Sequence, residues 1–360
     1  MTFEIVPSAF CQSILDKGTS LTLTILMAML SLVTLAEIRA AQSRIAGVAV
    51  RTPLVPLEID GLPFEIWLKD ESAQPIGSFK LRGAYNKIAQ LTAEQLGRGV
   101  ITYSSGNHAQ GVAYAARALG AKAVIVMPEN APLVKREATA ALGAEIVTVG
   151  AASTERKLKA EELEAEFGYS MVPPYDDEAV IAGQATCGVE ILEQLPGVEL
   201  VLSPVSGGGL LSGVASGVKL VCEAEGRVAP QVWGCEPEVA ADAKESFDTK
   251  RLVEWPAAKT TRTLADGLRT QSLGERNFAH ILRFVDGIVT VTEDEIRAAM
   301  KVILKAGMVA EPSGAVTLAA AMFHAEELPK VEKVVVILSG GNLEPGLRAE
   351  LVAEGVVVPV

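Results

Sequence analysis

Short runs of β-branched residues alternate with helical stretches along almost the whole chain. This rhythm constrains the fold more than any other feature. EIWLKDE, GVITYSS, AKAVIVMP, AEIVTVG, VELVLSPVSG, PQVWGCEP and KVVVILSGG read as strands. NHAQGVAYAARALG, APLVKREATAALG, STERKLKAEELEAEFG and EAVIAGQATCGVEILEQL read as helices between them. Strands that are apolar throughout, rather than alternating, belong in parallel sheets covered on both faces. The expected class is α/β, with open, mostly parallel sheets and helices on both faces. Ligands of such sheets sit at the carboxyl ends of strands, where helices begin. At 360 residues the chain is long enough for two or three domains.

Composition narrows the class. Apolar residues at 49% and charged ones at 21% suit a large-cored globular protein and exclude disorder. Against 32 basic side chains stand 44 acidic ones, a net charge of −12 with no basic run, so nucleic acid is not an expected partner. Cys11, Cys187, Cys222 and Cys235 form no CxxC pair, and His108, His280 and His324 lie far apart without an HExxH. A zinc ribbon, a redox motif and a His-based metal site are therefore not expected. Reduced thiols in a cytoplasm are. Residues 19–36 are the most apolar stretch, with three readings. The domain proper can start near Met29, with TLAEIRAAQSRIAGV as an amphipathic first helix and residues 1–28 as an N-terminal extension outside the fold. The stretch can be a buried or interfacial helix. It can also be a signal or anchor, although it is short for a span and lacks a basic n-region and an A-x-A site. No membrane is expected as a partner.

Three junctions put small residues where a strand or loop meets a helix. In PVSGGGLLSG, consecutive glycines before a helix let backbone N–H groups converge at its positive end, which makes a phosphate cup. Tight helix–sheet packing explains the same glycines. In PIGSFKLRGAYNKI, Lys80 lies just inside a helix start capped by Ser78. Gly77, Phe79, Gly83 and Ala84 surround it with small and apolar neighbours, which would lower its pKa and favour a nucleophilic amine; a solvated surface lysine is the plain alternative. In SSGNHAQG, from Ser104 to Gly111, the opening turn can bind a carboxylate through backbone N–H groups, or serve only as an N-cap. A phosphate cup together with an activated lysine suggests an aldehyde cofactor that carries a phosphate.

Together with LSGGN, these segments resemble one family, the fold type II pyridoxal-phosphate enzymes of the tryptophan synthase β-like fold. Within it the resemblance is to the serine/threonine dehydratase and serine racemase group. SFKLRGA, SSGNHAQG, the glycine loop, TLADGLRT, VTEDEI, AEPSGA and LSGGN all occur in family order, from about Leu35 to Asn342. Each alone is unspecific; in sequence they are specific. The resemblance implies pyridoxal 5′-phosphate as cofactor and a role for each matching position. Lys80 would bind the cofactor as an imine and move the substrate α-proton, and Phe79 would pack beside the ring. Asn107 would meet the ring 3-hydroxyl. Ser206, Gly207, Gly208, Gly209 and Leu210 would hold the phosphate, and Ser339 the ring nitrogen. Ser104, Ser105, Gly106, Asn107 and His108 would clamp the substrate carboxylate. Thr270 is a candidate contact for the substrate hydroxyl. The implied domains are 29–97 with 173–360, binding cofactor, and 98–172, a small substrate clamp.

Two departures shape the expectation. Ser206 stands where the family usually has the first of four glycines, and a serine cannot take a strongly positive φ cheaply. Ser105 stands where biosynthetic threonine dehydratases often have alanine and serine racemase has its second acid/base. That pulls the reading toward the racemase-like, catabolic branch. The same branch implies a divalent ion, Mg²⁺ or else Mn²⁺ or Ca²⁺, held by Glu236, the carbonyl of Ala240 and Asp242; a solvated acidic turn is the alternative. The implied activity is β-elimination of L-threonine or L-serine to a 2-oxo acid and ammonia. Serine racemase, 3-hydroxyaspartate dehydratase and, remotely, a non-catalytic ligand-binding protein are the rivals. A cytoplasmic homodimer or homotetramer is expected.

Overall fold

The computed structural model describes residues 31–355, apart from residues 130, 132, 151 and 152. The expectations placed on residues 1–28 lie outside the described residues. From Val33 onward the chain forms one compact unit. Its strands, in chain order, are β1 (Leu54–Leu57), β2 (Glu65–Asp70), β3 (Val100–Tyr103), β4 (Ala123–Pro128), β5 (Glu145–Val149), β6 (Ser170–Met171), β7 (Leu200–Pro204), β8 (Gln231–Pro237), β9 (Gly287–Val291) and β10 (Lys333–Leu338). They build a six-stranded sheet in the order β1-β2-β10-β7-β8-β9 and a four-stranded sheet in the order β5-β4-β3-β6. Every pairing is parallel except β1 with β2. All seven strands read from sequence are present. The short β1, β6 and β9 were not anticipated.

The helices used below are α1 (Leu35–Ile45), α2 (Lys80–Ile88), α3 (Asn107–Ala118), α4 (Leu133–Ala141), α5 (Ser153–Phe167), α6 (Glu178–Gln194), α7 (Gly209–Ala224), α8 (Asp242–Thr249) and α9 (Pro312–Phe323). The continuous apolar strands are explained by helices on both faces. In the smaller sheet Val100, Ala123, Ile125 and Met127 join the cluster that includes Val112 and Ala116 of α3. Their alternating neighbours Ile101, Val124 and Val126 pack with Ala160 of α5. In the larger sheet Leu200, Leu202, Val334, Val336 and Leu338 meet Ala315, Val316 and Ala319 of α9. A capping box between Thr34 and Glu37 starts α1, which is worth about 1 kcal/mol. No helix among the described residues is long and apolar enough to cross a membrane.

Helix α2 is tied to β2 and α6 by buried charge. Arg82 donates to both carboxylate oxygens of Glu71, at 2.7 and 2.8 Å, and to both of Glu190, at 2.6 and 2.8 Å. Lys69 donates to Glu190 at 2.6 Å, and Thr52 to Glu71 at 2.6 Å. The two cations balance the two carboxylates, which is how such groups tolerate burial. Burial raises the Glu71 carboxyl, but Arg82, Lys69 and Thr52 outweigh it and hold it at about 2. Gly183 of α6 lets the helices meet closely, since a Cβ there would lie 2.6 Å from Arg82 O.

Candidate active site

The segment between β2 and α2 sets the lysine. Gly77 turns the chain at φ +71°. Ser78 then bridges Gly340 in antiparallel fashion, and the Phe79 N–H donates to Ser339 O at 3.1 Å. Helix α2 begins at Lys80 with Phe79 in the N-cap position and no side-chain cap. The expected Ser78 cap is therefore absent. The bridge to Gly340 holds Ser78 one residue before the N-cap, and its Oγ is buried without a hydrogen-bond partner. Lys80 Nζ donates to Pro174 O at 2.8 Å and lies 5.1 Å from the Phe79 ring centroid. Part of the side chain stays open to solvent. Burial of the amine lowers its pKa to about 8, against the opposing charge of Glu311.

The other positions follow the ends of β3, β7 and β10. After β3, Ser104 Oγ accepts from the Gly106 N–H at 3.3 Å, and α3 starts at Asn107 with no side-chain cap on its first amides. Ser105 is half-buried in that loop. His108 is buried, with Nε2 2.9 Å from Val172 O. Burial first, and the Lys80 charge second, push its pKa down to about 3, so it is a neutral structural ring rather than a base near pH 7. After β7, Gly208 takes φ +97°, and α7 begins at Gly209, again with no side-chain cap. Uncapped N-terminal amides in this form suit an anion. Ser206 is not among the positive-φ residues, so the serine stands where glycine's freedom is not required. Its Oγ lies 2.8 Å from Thr270 Oγ1, which joins Thr270 to the glycine loop. After β10, Ser339 is buried and its side chain makes only a long 3.5 Å contact to Ser313 O. That leaves its hydroxyl free for a stronger partner. The chain thus brings a buried amine, two uncapped helix starts and a free hydroxyl to strand carboxyl ends, a donor set that fits a phosphate-bearing aldehyde.

Three groups escaped the sequence reading. Glu311 Oε1 accepts from Asn107 Nδ2 at 2.6 Å. Asn342 Nδ2 donates to Asn107 Oδ1 at 2.7 Å. Tyr175 covers the glycine loop, so a Cβ on Gly207 would lie 2.5 Å from its ring. Burial raises the Glu311 carboxyl to about 7; Asp266 adds to this, while Asn107, Lys135 and Lys80 oppose it. Glu311 and Asn342 lie inside AEPSGA and LSGGN, but their meeting with Asn107 spans more than half the chain. Tyr175 had no signal at all.

At the end of β8, Glu236 is buried, whereas Glu238 just beyond it is exposed. Glu236 accepts from the Ala243 and Lys244 N–H groups at 3.1 and 2.9 Å, which caps α8. Ala240 and Asp242 are buried too, and Asp242 Oδ2 has no hydrogen-bond partner. Burial, then the charge of Asp242, holds Glu236 well above the usual carboxylate range. Burial raises Asp242 to about 7. Among the described residues no three His, Cys, Asp or Glu side chains converge as a metal cluster, so an ion here would rest on two carboxylates, a carbonyl and water.

The family described as "Pyridoxal-phosphate dependent enzyme" matches residues 45–340. The chain is 40% identical to L-threonine ammonia-lyase of Thermotoga maritima over 91% of its own length and 80% of that enzyme. It is 38% identical to L-threo-3-hydroxyaspartate ammonia-lyase of Saccharomyces cerevisiae over 89% of its length and 96% of that enzyme. The solved structure of maize serine racemase superposes with a TM-score of 0.84 at 34% identity, over 90% of this chain and 98% of that one. The match runs through Lys80, the Ser104–His108 loop, the glycine loop and Ser339 alike, and the chain belongs to the pyridoxal-phosphate dependent enzymes.

Proposed function

We propose that this enzyme eliminates water and then ammonia from L-threonine or L-serine, leaving a 2-oxo acid. The observation that carries the reading is the Lys80 amine, buried against Pro174 and Phe79 and shifted down to about 8. Support comes also from the relative named for L-threonine. Pyridoxal phosphate, when bound, supplies the electron sink that makes the α-proton of an amino acid removable. With the cofactor bound, Lys80 would be the amine that holds its aldehyde and, when freed, the base placed to take the proton from Cα. The Ser206–Leu210 amides would hold the phosphate, and Asn107 would meet the 3-oxygen. Ser339 would meet the ring nitrogen as a neutral partner that does not hold it protonated. The Ser104–His108 loop holds the substrate carboxylate. Residues 98–172 act as a clamp domain against a cofactor-binding domain of residues 29–97 and 173–360.

A second reading, racemisation, is favoured by Ser105 in the carboxylate loop and by the likeness to maize serine racemase. Mg²⁺ at Glu236, Ala240 and Asp242 is part of the proposal. A divalent ion would neutralise two buried carboxylates and engage the unpartnered Asp242 Oδ2. Three buried free thiols, Cys187, Cys222 and Cys235, support a cytoplasmic enzyme, and a homodimer or homotetramer completes the reading. The test is incubation with L-threonine, L-serine and L-threo-3-hydroxyaspartate, reading 2-oxo acid and the chirality of remaining substrate. Oxo acid from threonine and serine is expected. Oxo acid from hydroxyaspartate alone would move the assignment to that substrate, and none from any of them would end it.

A further inference from the structure

Three side chains from distant parts of the sequence settle the orientation of the Asn107 amide. The Ile76 backbone carbonyl can only accept a hydrogen bond. Asn342 Nδ2 donates to Ile76 O at 2.9 Å, so the nitrogen end of Asn342 is chemically assigned. Its other hydrogen goes to Asn107 at 2.7 Å, so the atom it meets there must be Oδ1. The opposite end of Asn107 is then Nδ2, and it donates to Glu311 Oε1 at 2.6 Å. The same answer comes from the Glu311 side whenever its carboxyl is ionised, because a carboxylate can only accept. One Nδ2 hydrogen is left, and it can only donate.

The surrounding backbone is shaped to permit this. Gly77, at φ +71°, lies against Asn342 Oδ1, where any Cβ would collide. Gly340 accepts the Glu311 N–H at 3.0 Å, and a Cβ on Gly340 would lie 2.5 Å from Glu311 Oε1. The turn before Lys80, the start of α3, the start of α9 and the loop after β10 therefore converge on one amide.

We propose that Glu311 and Asn342 are positioning residues that lock Asn107 as a donor toward the 3-oxygen of the bound cofactor ring. The inference rests on the reading of Asn107 as the partner of that oxygen. A locked donor favours the ionised 3-oxygen. A freely flipping amide would present its own oxygen half the time and disfavour it. The charged groups around Glu311 are Lys80, Lys135 and Asp266. Acid weakens the lock, because a protonated Glu311 can donate to a flipped Asn107 as well as accept.

The experiment loads wild type, Glu311→Ala, Glu311→Gln, Asn342→Ala, Asn107→Ala and the two double variants with Asn107→Ala with pyridoxal phosphate. It reads the visible absorption band of the ionised ring against pH, and cofactor affinity by equilibrium dialysis. Glu311→Ala and Asn342→Ala should each weaken affinity about tenfold and shift the band's pH midpoint upward by about one unit, the size of one hydrogen bond to a charged group. Glu311→Gln keeps an acceptor and should restore most of both. Neither variant should add to Asn107→Ala, because both act through that amide. If Glu311→Ala does not fold, the Asn342 arm of the cycle decides alone. Additive effects, or wild-type spectra in both single variants, would overturn the inference while leaving the cofactor reading intact. A wild-type protein that does not bind pyridoxal phosphate would overturn both.

Discussion

Lys80 has two roles in the proposed reaction, so its removal should be close to absolute. Lys80→Ala should lower turnover on the order of 10⁴-fold or more and abolish the band of lysine-bound cofactor, while the glycine loop still retains some cofactor non-covalently. A variant with the band and full activity would overturn the assignment. The shifted amine also gives a pH expectation. Only the neutral amine attacks an aldehyde, so capture of pyridoxal phosphate by the apoenzyme should speed up as pH rises through about 8. Stopped-flow mixing across that range checks it. Ser105→Ala should separate the two reactions. Racemisation and D-serine turnover should be lost, with L-serine elimination kept within about tenfold. Chiral analysis of the substrate pool decides, and a wild type with no racemase activity removes this role for Ser105.

At the scale of elements, α2 presents Lys80 because its first turn is held by the Glu71–Arg82–Glu190–Lys69 cluster. Glu71→Gln leaves Arg82 short of one carboxylate inside the core, which should cost roughly 3–5 kcal/mol in urea unfolding of the apoenzyme. The same group gives a pH dependence with a definite sign. Its folded pKa, about 2, lies below the ordinary value of 4.5. Its stabilisation is therefore complete above pH 4.5 and is lost as pH falls toward 2, a change of about 3 kcal/mol. Acid unfolding of Glu71→Gln should lack that component. An identical acid profile in the variant and the wild type would show that Glu71 titrates normally. Nothing in the local sequence announced this cluster. Lys69, Glu71 and Arg82 are common surface residues, and Glu190 lies more than a hundred positions from them.

For the whole molecule, the ion is the test of how the outer turn supports the site. Glu236 caps α8 and Asp242 begins it, so a bound ion would act on stability by bracing the end of β8 against α8. Binding to the folded state alone adds RT ln(1 + [L]/Kd), about 2.7 kcal/mol at a hundredfold excess over Kd. Chelator should lower the melting temperature and the activity together, and Mg²⁺ should restore both. Asp242→Ala should behave as the chelated wild type and ignore added Mg²⁺. An unchanged melting temperature in chelator, with no ion by elemental analysis, would leave the pair as a buried cap.

Local pattern by itself determined the α/β class and seven of the strands, because uniformly apolar strands and amphipathic helices are signals a few residues long. Lys80, Asn107 and the glycine loop stood out as compact motifs for the same reason, whereas the role proposed for Ser339 came from the family resemblance. Tertiary structure alone decided what surrounds them. It moved Ser78 out of the cap position by bridging it to Gly340 and stacked Tyr175 over Gly207. It also tied Asn107 to Glu311 and Asn342, residues more than two hundred positions away. The physical reason is range. A helix or strand is specified by neighbours along the chain, whereas a hydrogen bond between side chains depends on where two distant backbones are brought by packing. No periodicity records that.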